Sequence, residues 1–200
     1  MLKKSLFIII SLFILTGCFD NIAPEDREFV ITMGIDISED QNYSISLEFP
    51  KVHALNSKSA EGDNKNVKTS TGSTLSDAMK STEKHSSKKT YYEHMKVIVF
   101  SKEVIENEEL FKSAVFELLE NRAISNKILI LSTTSKSEDI LKENPKEDSM
   151  VGLFVANYYK KNKANIYKCD LDKLVNDITR NNEIIIPRIE LVDEELKIIR

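Results

Sequence analysis

The chain has 200 residues, of which 41% are hydrophobic and 30% are charged, and its formal net charge is −4 at pH 7. These proportions are typical of a folded globular protein and exclude a wholly disordered chain. The acidic balance argues against nucleic acid as a partner, because domains that bind it present a basic surface. The length suffices for one domain of ordinary size and the beginning of another.

Residues 1–17 have the three zones of a secretory signal peptide. Lys3 and Lys4 form a basic start, and Leu6 to Leu15 (LFIIISLFIL) form an uninterrupted apolar core. An apolar run of about ten residues rises only about 15 Å as a helix, roughly half the hydrocarbon thickness of a bilayer. The segment is therefore predicted to be an export signal rather than a membrane span.

The residues that close this signal, Leu15-Thr16-Gly17-Cys18, resemble the lipobox of bacterial lipoproteins, in which the cysteine thiol takes a diacylglyceryl group. Cleavage between Gly17 and Cys18 would make Cys18 the lipid-anchored amino terminus, and residues 18–26 would form its tether. Two or more acyl chains suffice for stable anchoring. Cys169 then has no intrachain disulfide partner, and it is predicted to be a small, partly buried side chain because nothing in the sequence lowers its pKa.

Two runs of alternating hydrophobic residues predict a β-hairpin with one buried face. The runs are Phe29 to Ile37 and Tyr43 to Phe49, and five turn-forming residues, 38–42, join them. Pro50 ends the second run. Residues 51–66 are polar and show no period, which predicts a mobile loop, and a short strand is expected near Val67 to Ser70.

Helices and strands alternate in the rest of the chain. Thr74 is a predicted N-cap with Asp77 three residues on, and it begins a helix that buries Leu75, Ala78, Met79 and Thr82. Strands are expected at Lys96 to Phe100 and at Lys127 to Ser132, and between them a helix with acidic residues Glu106, Glu108 and Glu109 at its start and the apolar stripe Leu110 to Leu119. Helices are expected next at Ser137 to Glu143 and at Met150 to Tyr159. A last helix is capped by Asp170 and carries Leu171, Leu174, Val175 and Ile178 on one face, and an extended run follows at Ile184 to Leu191. Pro187 in that run indicates an edge strand or a domain junction. The pattern predicts an α+β fold with a mixed central sheet, an N-terminal β-hairpin and flanking helices.

Several short motifs, in this order, resemble the Ger(x)C family, the lipoprotein C subunits of GerA-type nutrient germinant receptors of spore-forming bacteria. The motifs are Gly17-Cys18-Phe19-Asp20, where the family has Trp in place of Phe19, Glu25-Asp26-Arg27, Met33-Gly34-Ile35-Asp36, Phe49-Pro50, Glu93-His94-Met95-Lys96-Val97-Ile98-Val99-Phe100, where the family has Gly in place of Glu93, and Ile186-Pro187-Arg188-Ile189-Glu190-Leu191. Family members are about twice as long as this chain. The resemblance therefore implies a signal peptide at 1–17, a lipidated tether at 18–26, an N-terminal domain at 27–186 and the truncated start of a following domain at 187–200.

The resemblance implies a subunit without covalent chemistry. It would act with a membrane-embedded A subunit and a transporter-like B subunit, lipid-anchored on the outer face of the inner spore membrane, in receptor assembly and germination signalling by protein–protein contact. No cofactor is implied beyond the diacylglyceryl group and an optional N-acyl chain on Cys18. An extracytoplasmic solute-binding lipoprotein is the alternative, although such proteins usually need two lobes around a cleft. An exported enzyme is the third class.

Candidate chemistry is sparse in the sequence. His53, His85 and His94 have no metal-ligand spacing, so no zinc site and no catalytic set is predicted. His94 is interpreted as a ring that hydrogen-bonds where the Lys96 strand begins, and Asp36 as a cap for backbone amides rather than a cation ligand.

One basic and aromatic cluster is a candidate contact site. It comprises Tyr158, Tyr159, Lys160, Lys161 and Lys163, with Tyr167 and Lys168 close behind. Lysines at the end of a helix complement its dipole, which is the plain interpretation, whereas contact with a partner or with lipid headgroups is the functional one.

Overall fold

The computed structural model describes residues 23–51, 65–146, 148–162 and 166–199. Within these ranges, a 3-10 turn at Pro24–Asp26 precedes nine strands and six helices. The strands are β1 Arg27–Phe29, β2 Thr32–Ile37, β3 Tyr43–Pro50, β4 Lys65–Gly72, β5 Lys89–Tyr91, β6 Val97–Ser101, β7 Leu129–Thr133, β8 Arg188–Val192 and β9 Glu195–Ile199. The helices are α1 Leu75–Lys84, α2 Lys102–Glu106, α3 Glu108–Glu120, α4 Ser137–Lys142, α5 Val151–Lys161 and α6 Leu171–Thr179.

Seven of the strands form one mixed sheet in the order β4-β3-β2-β6-β7-β8-β9. Strands β2, β6 and β7 run parallel to one another, and β8 continues this direction beside β7. The pairs β2–β3, β3–β4 and β8–β9 are antiparallel. Strands β1 and β5 form a separate parallel pair. The predicted α+β fold with a mixed central sheet, an N-terminal hairpin and flanking helices is confirmed.

Each face of the sheet carries its own hydrophobic core. The register pairs Met33 with Ile98, which places both side chains on one face, and helices α1, α3 and α6 cover that face. The neighbouring residue Val97 points to the opposite face, where α4 and α5 contribute Leu141 and Val155. The molecule therefore has three layers, with the sheet in the middle.

The predicted hairpin is confirmed as β2 and β3, but the expectation of only one buried face is wrong. The residues that alternate with the hydrophobic ones should face solvent in a one-sided sheet. Instead Thr32, Ser46 and Glu48 are 0% exposed and Asp36 is 5% exposed. The reason is that α4 and α5 begin on this face, so the polar side chains of the hairpin meet the free N–H groups of helix ends.

The helix caps follow the sequence closely. Thr74 Oγ1 accepts a hydrogen bond from the Asp77 amide at 3.0 Å, and α1 buries the four residues that were predicted. Asp170 caps α6 through the Lys173 amide. The acidic residues Glu106, Glu108 and Glu109 were predicted to start one helix, but Glu106 ends the separate short helix α2. Asn107 Oδ1 accepts from the Leu110 amide and starts α3 anew.

The last strands differ from the prediction in extent. The expected strand near Val67 to Ser70 is the middle of β4, which pairs along the whole of β3. In the extended run that contains Pro187, regular pairing begins at Arg188, and β8 is not an edge strand because β9 pairs with it on the side away from β7. The Pro187 carbonyl accepts from the Ser132 amide at 2.9 Å, which joins this segment to β7.

Candidate functional site

A basic groove lies at the edge of the sheet where the parallel strands begin. Lys96 immediately precedes β6, Lys127 lies just before β7, and α5 brings its carboxyl-terminal end to the same place. The groove has a volume of about 530 Å³. It is lined by Glu93, Met95, Lys96, Ser125, Lys127, Ile128, Leu129, Ala156, Tyr159, Lys160, Asn162, Ile166 and Lys168. This surface is called the basic groove below.

The four lysines of the basic groove differ in their pairing. Lys127 Nζ lies 2.8 Å from Asp172 Oδ2, and this contact raises the pKa of Lys127. Lys96, Lys160 and Lys168 are exposed and form no ion pair within the described part of the chain. Three lysine charges are therefore available to a ligand, opposed within the groove by Glu93.

The structure divides the predicted contact cluster between the groove and its surroundings. Tyr159 is a half-buried wall of the groove, its hydroxyl donates to the Tyr167 carbonyl at 3.3 Å, and burial raises its pKa to about 12. Tyr158 packs edge-on against Tyr159 with ring centroids 5.7 Å apart. Lys160 and Lys161 are exposed, whereas Lys163 lies outside the described residues. The contact role of this cluster stays a prediction.

Sequence reasoning missed Lys96 and Lys127 as members of this surface. Each lies just ahead of a buried hydrophobic strand, and both strands are parallel neighbours. Lysines that precede adjacent parallel strands reach the same sheet edge, so the signal was present once the strand order was known.

An acidic crevice occupies the opposite edge, where β2, β6 and β7 end. Its volume is about 970 Å³. The charged residues that line it are Asp36, Glu39, Glu103, Glu106, Glu108, Glu138 and Lys136. The two ends of the parallel strands therefore carry charge of opposite sign.

Asp36 in this crevice caps backbone amides, as the sequence predicted, but the amides belong to the start of a helix. Its carboxylate accepts from the Ser137 amide at 2.8 Å, from the Ser137 hydroxyl at 2.7 Å and from the Glu138 amide at 3.2 Å. It caps α4 from a strand rather than from a turn. The carboxylate thus stabilises the first turn of a helix about a hundred residues later in the chain.

Glu48 does the same for α5 and was not singled out from the sequence. Its carboxylate accepts from the Val151 amide at 2.9 Å, from the Gly152 amide at 3.3 Å and from the Thr32 hydroxyl. Lys65 Nζ lies 3.2 Å from Glu48 Oε1, and this lysine is only 2% exposed. Lys65 Nζ also donates to the Glu143 carbonyl, so the buried pair joins the sheet to the start of α5 and to the residue that follows α4.

Two further candidates are structural. Cys169 is 2% exposed, and burial raises the pKa of its thiol to about 12, so the thiolate that nucleophilic chemistry needs is absent near neutral pH. Cys169 was predicted to be partly buried, and the structure buries it almost completely. His94 is exposed and packs edge-on against Phe29 with centroids 4.8 Å apart, a ring contact in place of the expected hydrogen bond.

The described residues, 23–51, 65–146, 148–162 and 166–199, contain neither a metal-ligand cluster nor a membrane-spanning helix. Within these ranges, no group of three or more His, Cys, Asp and Glu side chains is arranged to hold a metal ion. None of the helices described is both long and apolar enough to cross a membrane.

The sequence model of a family described as the spore germination protein N-terminal domain matches residues 20–191 of the chain. The chain belongs to this family. The resemblance that the sequence motifs indicated is thereby confirmed. An alignment with spore germination protein A3 of Bacillus subtilis (strain 168) shows 22% identity over 182 residues, covering 88% of the chain and 48% of that protein. The germination-family chain thus spans about half the length of the curated relative that it matches, and no solved structure matches it.

Proposed function

We propose that this germination protein is the lipid-anchored C subunit of a nutrient germinant receptor. It would sit on the outer face of the inner spore membrane and act in receptor assembly and germination signalling by contact with the A and B subunits. The observation that carries the proposal is the family match over residues 20–191, which begins next to the lipobox cysteine Cys18. A domain that starts so close to its anchor is held within reach of integral membrane proteins.

The described residues support a role in contact rather than in catalysis. The buried carboxylates Asp36 and Glu48 accept hydrogen bonds from helix N-termini, and the Cys169 thiol is protonated near neutral pH. These three buried groups, which an enzyme could use as bases or as a nucleophile, are thus committed to packing. The accessible charge lies instead at the two ends of the parallel strands, where a partner surface can meet it.

The anchor is tested by the intact mass and the membrane partition of the protein expressed in a Gram-positive host. The expected product lacks residues 1–17, carries acyl chains and partitions with membranes. A Cys18→Ala variant is expected to remain unprocessed at this position. An unmodified Cys18 on a chain that retains residues 1–17 would contradict the anchored subunit.

The solute-binding alternative is tested by isothermal titration of the purified protein with amino acids, sugars and nucleosides that act as nutrients. A subunit that works by protein contact is expected to give no saturable heat with any of them. Saturable binding to the protein alone would favour solute capture over receptor assembly.

A further inference from the structure

We propose that the basic groove binds the headgroups of anionic phospholipids and so orients the domain with the starting edge of its parallel strands toward the membrane. This inference depends on the proposed function in one respect, because the lipid anchor at Cys18 is what brings the domain close to a bilayer. The groove itself is a feature of the folded domain. Its lysines supply compact positive charges, which suit a phosphate group.

The chain enters the domain beside this groove. Strand β1 leads into β2, and the Ile31 carbonyl between them accepts from the Lys96 amide at 2.9 Å. Phe29 at the end of β1 packs on His94, next to Glu93 of the groove. The amino-terminal segment and the basic groove therefore lie on the same edge of the molecule.

The distance from the anchor is short. The five residue steps from Cys18 to Ala23 span at most about 18 Å in a fully extended chain. Lipidation at Cys18 would therefore keep the point where the chain enters the domain within about 18 Å of the headgroups. A surface charge acts over about 10 Å at 0.1 M salt, a range that the domain can enter without leaving its anchor.

More side chains on this edge suit a headgroup layer. The Arg27 guanidinium lies 5.3 Å from the centre of the Tyr91 ring, and Lys89 Nζ lies 5.4 Å from it. Tyr159 forms a wall of the basic groove. Aromatic rings beside long basic side chains are typical of surfaces that rest at a membrane–water interface.

The acidic crevice adds direction to this attraction. It lies at the far ends of the same strands, so an anionic membrane attracts one edge of the domain and repels the other. The net charge of the chain is negative, yet its distribution along the strands favours one orientation. Glu93 in the groove and Asp172 beside Lys127 weaken the attraction without reversing its sign.

The test measures lysine acetylation by mass spectrometry on the full protein reconstituted into vesicles. One vesicle type contains phosphatidylcholine alone, and the other contains phosphatidylcholine with 30 mol% phosphatidylglycerol (about one anionic lipid in three, enough to give a clear surface potential). Lys96, Lys160 and Lys168 are expected to react several-fold more slowly on the anionic vesicles. Lys102, Lys112 and Lys136 lie at the opposite edge, where Lys112 pairs with Glu108 of the acidic crevice, and these internal controls should react equally on both. Protection should disappear near 1 M salt, where the Debye length is about 3 Å.

A matched pair of variants separates the groove from general charge. Lys127 also lines the basic groove and should be protected on anionic vesicles in the wild type. In Lys96→Gln/Lys160→Gln/Lys168→Gln, Lys127 should lose this protection. The control variant Lys102→Gln/Lys112→Gln/Lys136→Gln has the same net charge, and Lys127 should remain protected in it. Each lysine near an anionic surface contributes about fivefold to its attraction, so the equilibrium between the headgroup-bound and the free groove of the anchored protein is expected to shift on the order of 100-fold toward the free groove in the variant.

Three outcomes would overturn the proposal. The first is acetylation of the groove lysines at the same rate on both vesicle types, and the second is equal protection of the lysines at both edges. Protection that arises only when the other receptor subunits are present, irrespective of lipid charge, would assign the groove to a protein partner. The intact mass of the same sample reports acylation separately, so a failed anchor is distinguished from a groove that does not bind lipid.

Discussion

Replacing Glu48 by glutamine is expected to lower the free energy of unfolding by about 3–5 kcal/mol, because it leaves the buried Lys65 ammonium without a counter-charge. Both side chains are almost inaccessible, at 0% exposed for Glu48 and 2% for Lys65. Glutamine keeps the volume of the side chain, so the change reports charge and hydrogen bonding rather than a cavity. It also replaces one carboxylate oxygen by an NH₂ group, so either the Val151 amide or the Gly152 amide loses its acceptor.

The reciprocal change should cost less. In Lys65→Met, the Glu48 carboxylate still accepts from the Thr32 hydroxyl and from two amides at the start of α5, so its charge stays solvated by the protein. We expect a loss of about 1–2 kcal/mol. The double variant should lose less than the sum of the single ones, because removing both charges leaves neither unpaired.

The assay is urea denaturation followed by far-ultraviolet circular dichroism at pH 7. The matched control is Glu108→Gln, which breaks an exposed pair with Lys112 and should leave the midpoint unchanged. A loss below about 1 kcal/mol for Glu48→Gln, or a larger loss for Lys65→Met than for Glu48→Gln, would refute the assignment of Glu48 as the buried charge that holds α5.

Three further substitutions test the packing and the pH dependence. Gly152→Ala should lower the free energy of unfolding by about 1–3 kcal/mol in the same assay, because the new Cβ would lie 2.5 Å from Thr32 Oγ1 and 2.8 Å from the Ile31 carbonyl oxygen. Unchanged or higher stability would contradict this close approach. Leu118 is fully buried, so Leu118→Ala should lower the free energy of unfolding by about 2–5 kcal/mol, whereas Phe116→Ala on the exposed side of the same helix should lower it far less. Equal losses would contradict the orientation of α3. The Cys169 thiol has a pKa of about 12 in the folded protein, whereas the unfolded thiol loses its proton above its ordinary pKa near 9. The free energy of unfolding should therefore fall between pH 9 and 12, by up to about 1.4 kcal/mol per pH unit more in the wild type than in Cys169→Ala. Identical slopes in the two proteins would contradict the burial of this thiol.

Local signals in the sequence carried much of the fold. The Thr74 cap and the stripe of α1 depend on residues within one or two helical turns, so the sequence predicts them without knowledge of the rest of the chain. The strands β6 and β7 are buried on both faces and read as continuous apolar runs for the same local reason.

The second face of the hairpin could not be predicted in this way. A period of two shows which residues share a face, but it does not show what covers that face. Asp36 and Glu48 look like solvent-facing residues in the sequence, and only the distant starts of α4 and α5 make them buried caps. The signal that was missed is the absence of a capping side chain at Lys136 and Met150.

The hairpin of β8 and β9 was missed for a different reason. Its turn is Asp193-Glu194, with φ of 53° and 59°, a conformation that most non-glycine residues avoid. Two-residue hairpin turns of this kind favour Asn-Gly or Asp-Gly, and Glu at the second position removes that signal. The basic groove likewise depends on strand order, which brings Lys96 and Lys127 to the end of α5.

Affinity isolation from the inner membranes of spores tests the central claim most directly. A tagged wild-type protein and its Cys18→Ala variant would replace the native protein, and the co-isolated integral membrane proteins would be quantified by mass spectrometry. The account predicts that the wild type brings down an A subunit and a transporter-like B subunit in comparable amounts, and that the variant brings down far less of both. A wild-type protein isolated from the membrane without any receptor subunit would contradict it.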